Sequence, residues 1–431
     1  MKAGSLPRVL VVGAGFAGLN VVNTLEGVPC EVLLVDKRNH HLFQPLLYQV
    51  ATAALSPADI AEPVRKLLRG RENLQILLGE ATEVDRESRT VTVDGRAVGF
   101  DWLVLAAGAT HAYFGNERWA RRAPGLKTLA DALEIRRRIL LTFEEAEMEE
   151  DPEVREAKLT FAVVGGGTTG VEMAGALREI AAKTLTRDFK RVDTSQTKVI
   201  LLEGLDRVLP AMSHRASEEA RRSLEAMGVE VRLNTFVTEM DDEGLWMEKE
   251  RLLAANVIWA AGVKGAPIAE TLGVELTRQG KVPVAADCSL ADDATVFVVG
   301  DLAHLEDPDT GDPVPGVAQA AIQMGRFVGE TLADSVARAE PLPKRRPFKY
   351  KDRGTLATIG RARAVADMGD VFVSGFPAWI LWSIVHLTFL VGFRNKLMVM
   401  MNWGWQWLSQ TRGARLITGR AQVDVEDPIE L

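Results

Sequence analysis

Cysteine is nearly missing. The chain holds two, Cys30 and Cys288, and no CxxC pair. That excludes a disulfide framework and a four-cysteine zinc site, and a reducing, cytoplasm-facing location fits best. An excess of positive charge is lacking too: 51 basic against 59 acidic side chains leave a net charge of −8. Nucleic acid is therefore not the expected partner. Low-complexity stretches are absent, and 47% apolar with 26% charged residues is the balance of a folded protein. The histidines, including the His40-His41 pair, show no metal-ligand spacing with carboxylates or cysteines, so no metal site is expected. The apolar run at 9–12 has no cleavage-like site after it and reads as a strand, not as a signal peptide. A chain of 431 residues calls for two or three domains.

What the sequence does hold is a duplication. Residues 8–19 (RVLVVGAGFAGL) are a β-branched run, then Gly13-x-Gly15-x-x-Gly18, then an apolar helix start; EVLLVD follows and ends in Asp36. Strand, glycine turn, helix and a strand closed by an acid make a βαβ dinucleotide unit. The same order returns about 152 residues later, in LTFAVVGGGTTGVEMAG with Gly165, Gly167 and Gly170, and in KVILLE ending at Glu203. WLVLAAG, ending at Gly108, is echoed by NVIWAAG at 256–262, and ATVFVVGD closes a third strand at Asp301. The segment 39–58 has no periodicity and reads as loop and short helices; 131–158 reads as charged helix and linker.

The glycines serve three physical ends: a tight turn, close approach of backbone N–H groups to a pyrophosphate, and close packing of helix on sheet. Asp36 and Glu203 are placed to accept hydrogen bonds from an adenosine ribose. At the second site an acid also repels a 2′-phosphate, which favours NADH over NADPH. Two dinucleotide sites in one chain imply electron exchange between two dinucleotides, and a flavin is the usual partner of a nicotinamide. FAD plus NADH is the expectation. Cys30 and Cys288 are not placed as a redox pair beside a flavin and are expected to be inert buried thiols.

The other end of the chain is unlike the rest. Five of the nine tryptophans lie in the last 53 residues, and 371–393 carries no Asp, Glu, Lys or Arg. As a helix, PAWILWSIVHLTFLV (377–391) spans about 22 Å, short of a bilayer core of about 30 Å. The next segment is amphipathic, with Asn395, Asn402, Gln406 and Ser409 at helical spacing. Trp403, Trp405, Trp407, Arg412 and Arg415 complete an interfacial profile. Attachment to one bilayer surface is expected; a buried helix pair, a dimer interface and a true membrane span are the alternatives. His386, inside the apolar run, reads as a packing residue.

The segments NHHLFQPLLYQVATAALSP (39–57), GGGTTGVE (165–172), VVGD (298–301), VAQAAIQMG (317–325) and SGFPAWILWSIVHLTFLVGFRNKL (374–397) together resemble type II NADH:quinone oxidoreductases. These are the single-subunit, non-pumping NADH dehydrogenases of the two-dinucleotide-domain flavoproteins. The resemblance implies an α/β fold of two Rossmann-like domains, for FAD and NADH, plus a C-terminal helical membrane-anchoring segment. It implies non-covalent FAD on Gly13, Gly15, Gly18, Asp36 and Asp301, with Gly108 counted beside them. NADH, the co-substrate, falls to Gly165, Gly167, Gly170 and Glu203. Glu172 matches a glutamate implicated in proton transfer to quinone, and Gln319 and Gln323 match quinone-site glutamines. Their spacing of four puts both on one helix face.

The expected division is 1–115 and 282–343 for FAD, an inserted 116–281 for NADH, and 344–431 for the membrane. Two electrons would pass from NADH to a membrane quinone at the cytoplasmic face of the cell membrane, feeding a respiratory chain without proton pumping. The sequence leaves open whether the quinone is menaquinone or ubiquinone, and whether two copies pair as a homodimer through the C-terminal segment. A sulfide:quinone oxidoreductase needs flavin-proximal cysteines that are not evident here. A soluble ferredoxin reductase gives no reason for the C-terminal run. A non-catalytic, membrane-bound NADH-sensing protein gives none for intact Glu172, Gln319 and Gln323.

Overall fold

A computed structural model describes residues 6–338, 345–409 and 411–418. The expected boundary at 343/344 lies outside the described residues. The fold is α/β, and the chain divides into two units of three segments each. Unit 1 takes residues 1–42, 61–112 and 262–353; unit 2 takes 43–60, 113–261 and 354–431.

Unit 1 is organised by five parallel strands in the order Val296–Val298, Trp102–Leu105, Arg8–Val12, Glu31–Asp36, Leu74–Leu78. Val9 pairs in register with Val32 on one side and Trp102 on the other. The central strands are apolar at nearly every position because both sheet faces are covered. Helix Phe16–Thr24 follows the first strand and packs along Ala318–Arg338. Two small residues let the helices meet: a Cβ on Gly325 would lie 2.3 Å from the Ala17 carbonyl oxygen, and one on Gly329 2.6 Å from Thr24 Cβ. A three-stranded antiparallel sheet (Ala81–Asp85, Thr90–Val93, Arg96–Gly99) completes the unit, and Ala109–His111 pairs antiparallel with Val263–Gly265.

Unit 2 repeats the design with four parallel strands, in the order Val229–Arg232, Lys198–Leu202, Thr160–Val164, Asn256–Trp259. Helix Leu129–Met148 starts at a capping box, Thr128 accepting from the Asp131 N–H while Asp131 accepts from the Thr128 N–H. Helix Thr168–Glu179 runs on into one π-helical turn, Ile180–Thr184. It lies under an antiparallel sheet of Thr355–Gly360, Arg363–Met368 and Val371–Ser374, and Gly175 has no room for a side chain there, its Cβ falling 1.7 Å from the Ile359 carbonyl oxygen. Two helices follow, Gly375–Phe389 and Phe393–Ser409. Among the described residues no helix is long and apolar enough to cross a membrane.

The last helix is amphipathic in the opposite sense to a surface helix of a water-soluble protein. Its polar stripe faces protein: Asn395 is buried, Asn402 Nδ2 donates to Asp59 Oδ2 (3.1 Å), and Gln406 Nε2 donates to the Ala54 carbonyl. Its apolar stripe faces outward, with Phe393 83%, Trp405 66% and Leu408 75% exposed, and Leu397, Met400 and Met401 beside them. Arg412, expected at a lipid interface, is instead buried. It donates to the Thr52 carbonyl (2.7 Å) and pairs with Glu179 (3.4 Å). A buried guanidinium needs such partners, and residues 52 and 179 are too remote in sequence to have announced them.

Candidate functional site: two dinucleotide turns and a proton-rich cavity

In unit 1 the turn after the first strand is forced by crowding. Gly13 has φ +106°, where a Cβ would fall 2.3 Å from the Ala106 carbonyl oxygen, and a Cβ on Gly18 would fall 1.8 Å from the Gly13 oxygen. Gly15, in contrast, opens onto free space and caps helix Phe16–Thr24 without any side-chain cap. Uncapped first-turn amides beside an open glycine suit a pyrophosphate. The turn is held by the acid that ends the next strand. Asp36 Oδ2 accepts from the Ala14 N–H (2.6 Å) and Oδ1 from the Arg38 N–H (2.7 Å). Each oxygen keeps a further lone pair for a ribose hydroxyl. Buried His41 contacts the Ala14 carbonyl through Nδ1 (3.0 Å). Burial holds its pKa down, so the ring is neutral and Nδ1–H is the donor. Gly108 and Gly300 are both in the left-handed region at φ +71°, and Gly300 leads directly into Asp301. This open turn fits the diphosphate and ribose of FAD.

The unit 2 turn is built alike. Gly165 also sits at φ +106°, a Cβ on Gly170 would meet the Gly165 oxygen at 1.8 Å, and Gly167 is open. Glu203 Oε2 accepts from the Gly166 N–H and Oε1 from the Leu205 N–H (2.8 Å).

Glu172 lies one turn further along the same helix and is buried. It lines a cavity of about 110 Å³ with Tyr48, Gln49, Glu179, Lys183, Trp382 and Trp403 among its neighbours. Burial raises its pKa well above the carboxylate range; the Thr358 N–H and the Trp382 indole pull weakly the other way. Burial thus favours the protonated form of this side chain. A raised carboxyl in a cavity marks a candidate proton donor.

Gln319 and Gln323 belong to unit 1, on helix Ala318–Arg338, and do share a face. Their amides are engaged by the backbone that follows. Gln323 Nε2 donates to the Lys351 carbonyl (3.0 Å) and Oε1 accepts from the Lys351 N–H (3.0 Å). Gln319 Oε1 accepts from the Arg353 N–H (3.3 Å).

Sequence reasoning missed Tyr48, Gln49, Trp382 and Arg412 as parts of the cavity. The signal available was a Tyr-Gln pair inside an apolar stretch, where each polar group must find a partner. Both cysteines are buried, and burial pushes the Cys30 thiol up to about 11 and the Cys288 thiol higher still. Neither is a reactive thiolate near pH 7. His386 packs in the helix, its Nδ1 2.7 Å from the Trp382 carbonyl and its ring stacked on Trp382.

Comparison with known proteins agrees with this geometry. The profile of the family described as Pyridine nucleotide-disulphide oxidoreductase matches residues 7–325, and that of the NDH2 C-terminal domain matches 353–410. The chain is 43% identical over 424 residues to the type II NADH:quinone oxidoreductase Ndh of Mycobacterium tuberculosis, covering 95% of this chain and 90% of that one. It is 28% identical over 386 residues to the type II NADH:quinone oxidoreductase of Staphylococcus aureus, covering 88% and 94%. In fold it is similar to the structure of NDH2 from Plasmodium falciparum in complex with NADH, with a TM-score of 0.85, 18% identity, and 96% of this chain and 100% of that one covered. The sulfide:quinone oxidoreductase of Aquifex aeolicus is less similar, with a TM-score of 0.72, 16% identity, and 94% and 96% covered. The chain belongs to the pyridine nucleotide-disulphide oxidoreductases and, within them, to the type II NADH:quinone oxidoreductases.

Proposed function

We propose that this protein oxidises NADH and passes two electrons through non-covalent FAD to a membrane quinone, without carrying protons across the membrane. One observation carries the reading: two open glycine turns, each closed by an acid, in a chain of this family. Bound FAD supplies the redox chemistry, taking hydride from NADH and delivering electrons to an acceptor. The protein's own residues do the rest. Gly13, Gly15, Gly18, Asp36, Gly108 and Asp301 would hold FAD, and Gly165, Gly167, Gly170 and Glu203 would hold NADH. Glu172, its carboxyl pKa raised by burial in the cavity, would supply a proton to the reduced quinone. Gln319 and Gln323 would act on the quinone side.

In domain terms, 1–115 and 282–343 would bind FAD, 116–281 NADH, and 344–431 the membrane. The outward apolar stripe of Phe393–Ser409, together with exposed Phe376, Ile380 and Ile384 on the preceding helix, supports attachment to the cytoplasmic surface of the bilayer. Lipid would cover a face that water does not favour. The deactivated thiols speak against sulfide chemistry.

The purified yellow protein should bleach with NADH and regain its colour with a quinone. Bleaching without recovery would defeat the quinone assignment, and no bleaching would defeat the enzyme assignment. Removal of residues from Gly375 onward should abolish flotation with liposomes in a protein that still carries its flavin.

A further inference from the structure

The hydrogen bonds around the unit 2 cavity are unbalanced. Trp403 Nε1 donates to Gln49 Oε1 (2.7 Å), and Gln49 Nε2 donates to Tyr48 Oη (2.9 Å). An indole N–H can only donate, so this chain fixes which end of the Gln49 amide is oxygen. It also makes the Tyr48 oxygen an acceptor, and the phenolic proton must then go to another acceptor. Trp382, 1% exposed and on the cavity wall, has an indole N–H that makes no close hydrogen bond, Glu172 lying beyond good hydrogen-bond distance. It is turned toward the Glu172 carboxyl, whose pKa burial holds well above the carboxylate range. Two donors, the Tyr48 O–H and the Trp382 N–H, thus line one cavity without a close acceptor for either. A buried donor left unpaired is costly, and the group that would satisfy this set offers oxygen lone pairs and no proton.

We propose that Tyr48 and Trp382 form a carbonyl-oxygen site for the quinone, the Trp382 N–H holding one quinone oxygen and the Tyr48 O–H giving it a proton as the electrons arrive. This rests on the quinone-reducing function given above. Each quinone C=O becomes C–OH, taking two electrons and two protons in all; NADH, one proton from water and quinone give NAD⁺ and quinol. The proton lost by Tyr48 is replaced from water, for which the cavity has room. Burial holds the Tyr48 pKa well above its usual value, Glu179 acting in the same direction and the Gln49 hydrogen bond and Arg412 against it. Lys183 and Arg361 also line the cavity, and Arg361 donates through its backbone N–H to Glu179 (2.6 Å). Such a phenol keeps its proton until an oxyanion claims it. Tyr48 is in this sense a second proton donor beside Glu172, and Trp382 orients the oxygen that receives the proton.

The test uses the full-length FAD-loaded protein in liposomes. Tyr48→Phe keeps the ring and removes the proton. NADH should bleach the flavin at the wild-type rate, while reoxidation by quinone slows by roughly a hundredfold, the typical weight of a lost general acid. Reoxidation by ferricyanide, which takes electrons without protons, should not slow. Trp382→Phe should raise the quinone KM by roughly tenfold, with NADH bleaching of the flavin unchanged. Wild-type quinone rates in Tyr48→Phe would overturn the proposal. So would equal slowing with both acceptors and a lowered melting temperature, which would make the ring a packing element. A wild-type protein that never reduces quinone would fail the function itself, before any variant is compared.

Discussion

The two glycine turns are near copies, and their differences are coupled. In the first the middle residue is Ala14 and the closing acid is Asp36; in the second they are Gly166 and Glu203. Both acids accept from the N–H of that middle residue. Glutamate is one methylene longer, and that methylene fills the space of the missing side chain: a Cβ on Gly166 would lie 2.8 Å from Glu203 Oε2 and 3.1 Å from its Cγ. A shorter acid permits alanine and a longer one demands glycine. The middle carbonyl differs too, accepting from the His41 imidazole in the first turn and from the Leu209 N–H (2.7 Å) in the second. One clamp titrates; the other is backbone.

The harshest way to probe the comparison is alanine at the third glycine. Gly18→Ala and Gly170→Ala create the same clash, a Cβ 1.8 Å from a carbonyl oxygen, and overpacking of about 3 kcal/mol is worth roughly a hundredfold. Gly18→Ala should emerge from purification nearly colourless. Gly170→Ala should keep its FAD but bleach with NADH roughly a hundred times more slowly. Identical losses in both variants would break the assignment of one nucleotide to each turn.

A gentler change tests the coupling of acid length to the middle residue. Gly166→Ala should displace Glu203 and weaken NADH binding by about ten- to a hundredfold, the weight of a charged hydrogen bond of about 1.5–3 kcal/mol. Adding Glu203→Asp rebuilds the arrangement of the first turn and should restore most of the affinity. An unrescued double variant would show that the two positions are independent. Glu203→Gln should narrow the preference for NADH over NADPH, because a phosphate no longer faces a carboxylate.

Acid separates the two clamps by a smaller margin. His41 titrates below its ordinary 6.5 because of burial, so below that pH the unfolded chain takes up the proton first. The stabilising contribution is complete above pH 6.5 and is lost as pH falls toward the lowered value. FAD release should therefore begin at a higher pH in wild type than in His41→Gln, whose amide can still donate to Ala14. Coincident acid-release curves would remove His41 from the account. The least effect is expected at the start of each second strand, where the first copy has buried Cys30 and the second has buried Thr197. Cys30→Ser should leave quinone turnover within about twofold, since the thiol is neither exposed nor ionised.

The βαβ units were legible because their information is local: a glycine spacing, a β-branched run and a terminal acid lie within a few dozen residues. Even the pairing of Ala14 with Asp36 and of Gly166 with Glu203 is visible in the sequence once acid length is considered. The cavity was not legible. Its walls come from residues 48–54, 172–184, 358–361, 379–382 and 403–412, and no spacing rule links them. The final helix shows a different limit. Periodicity reveals that a helix has two faces but not which one meets the protein. Asn402 and Gln406 were placed on the stripe correctly, yet only their partners Asp59 and Ala54 show that the stripe points inward.

The bond between Gln49 and Trp403 joins positions 354 residues apart, and that separation sets a clock on biosynthesis. At about 5–20 residues per second, a ribosome needs roughly 20–70 s after making Gln49 before it makes Trp403. Through that interval Tyr48, Gln49 and the Ala54 carbonyl wait without the helix that satisfies them. The cavity wall is thus among the last parts of the nascent chain to assemble. It arrives on a helix whose other face is apolar and exposed. A helper that shields that face, or a bilayer already at hand, would protect the newborn protein at the moment when it is most prone to aggregate.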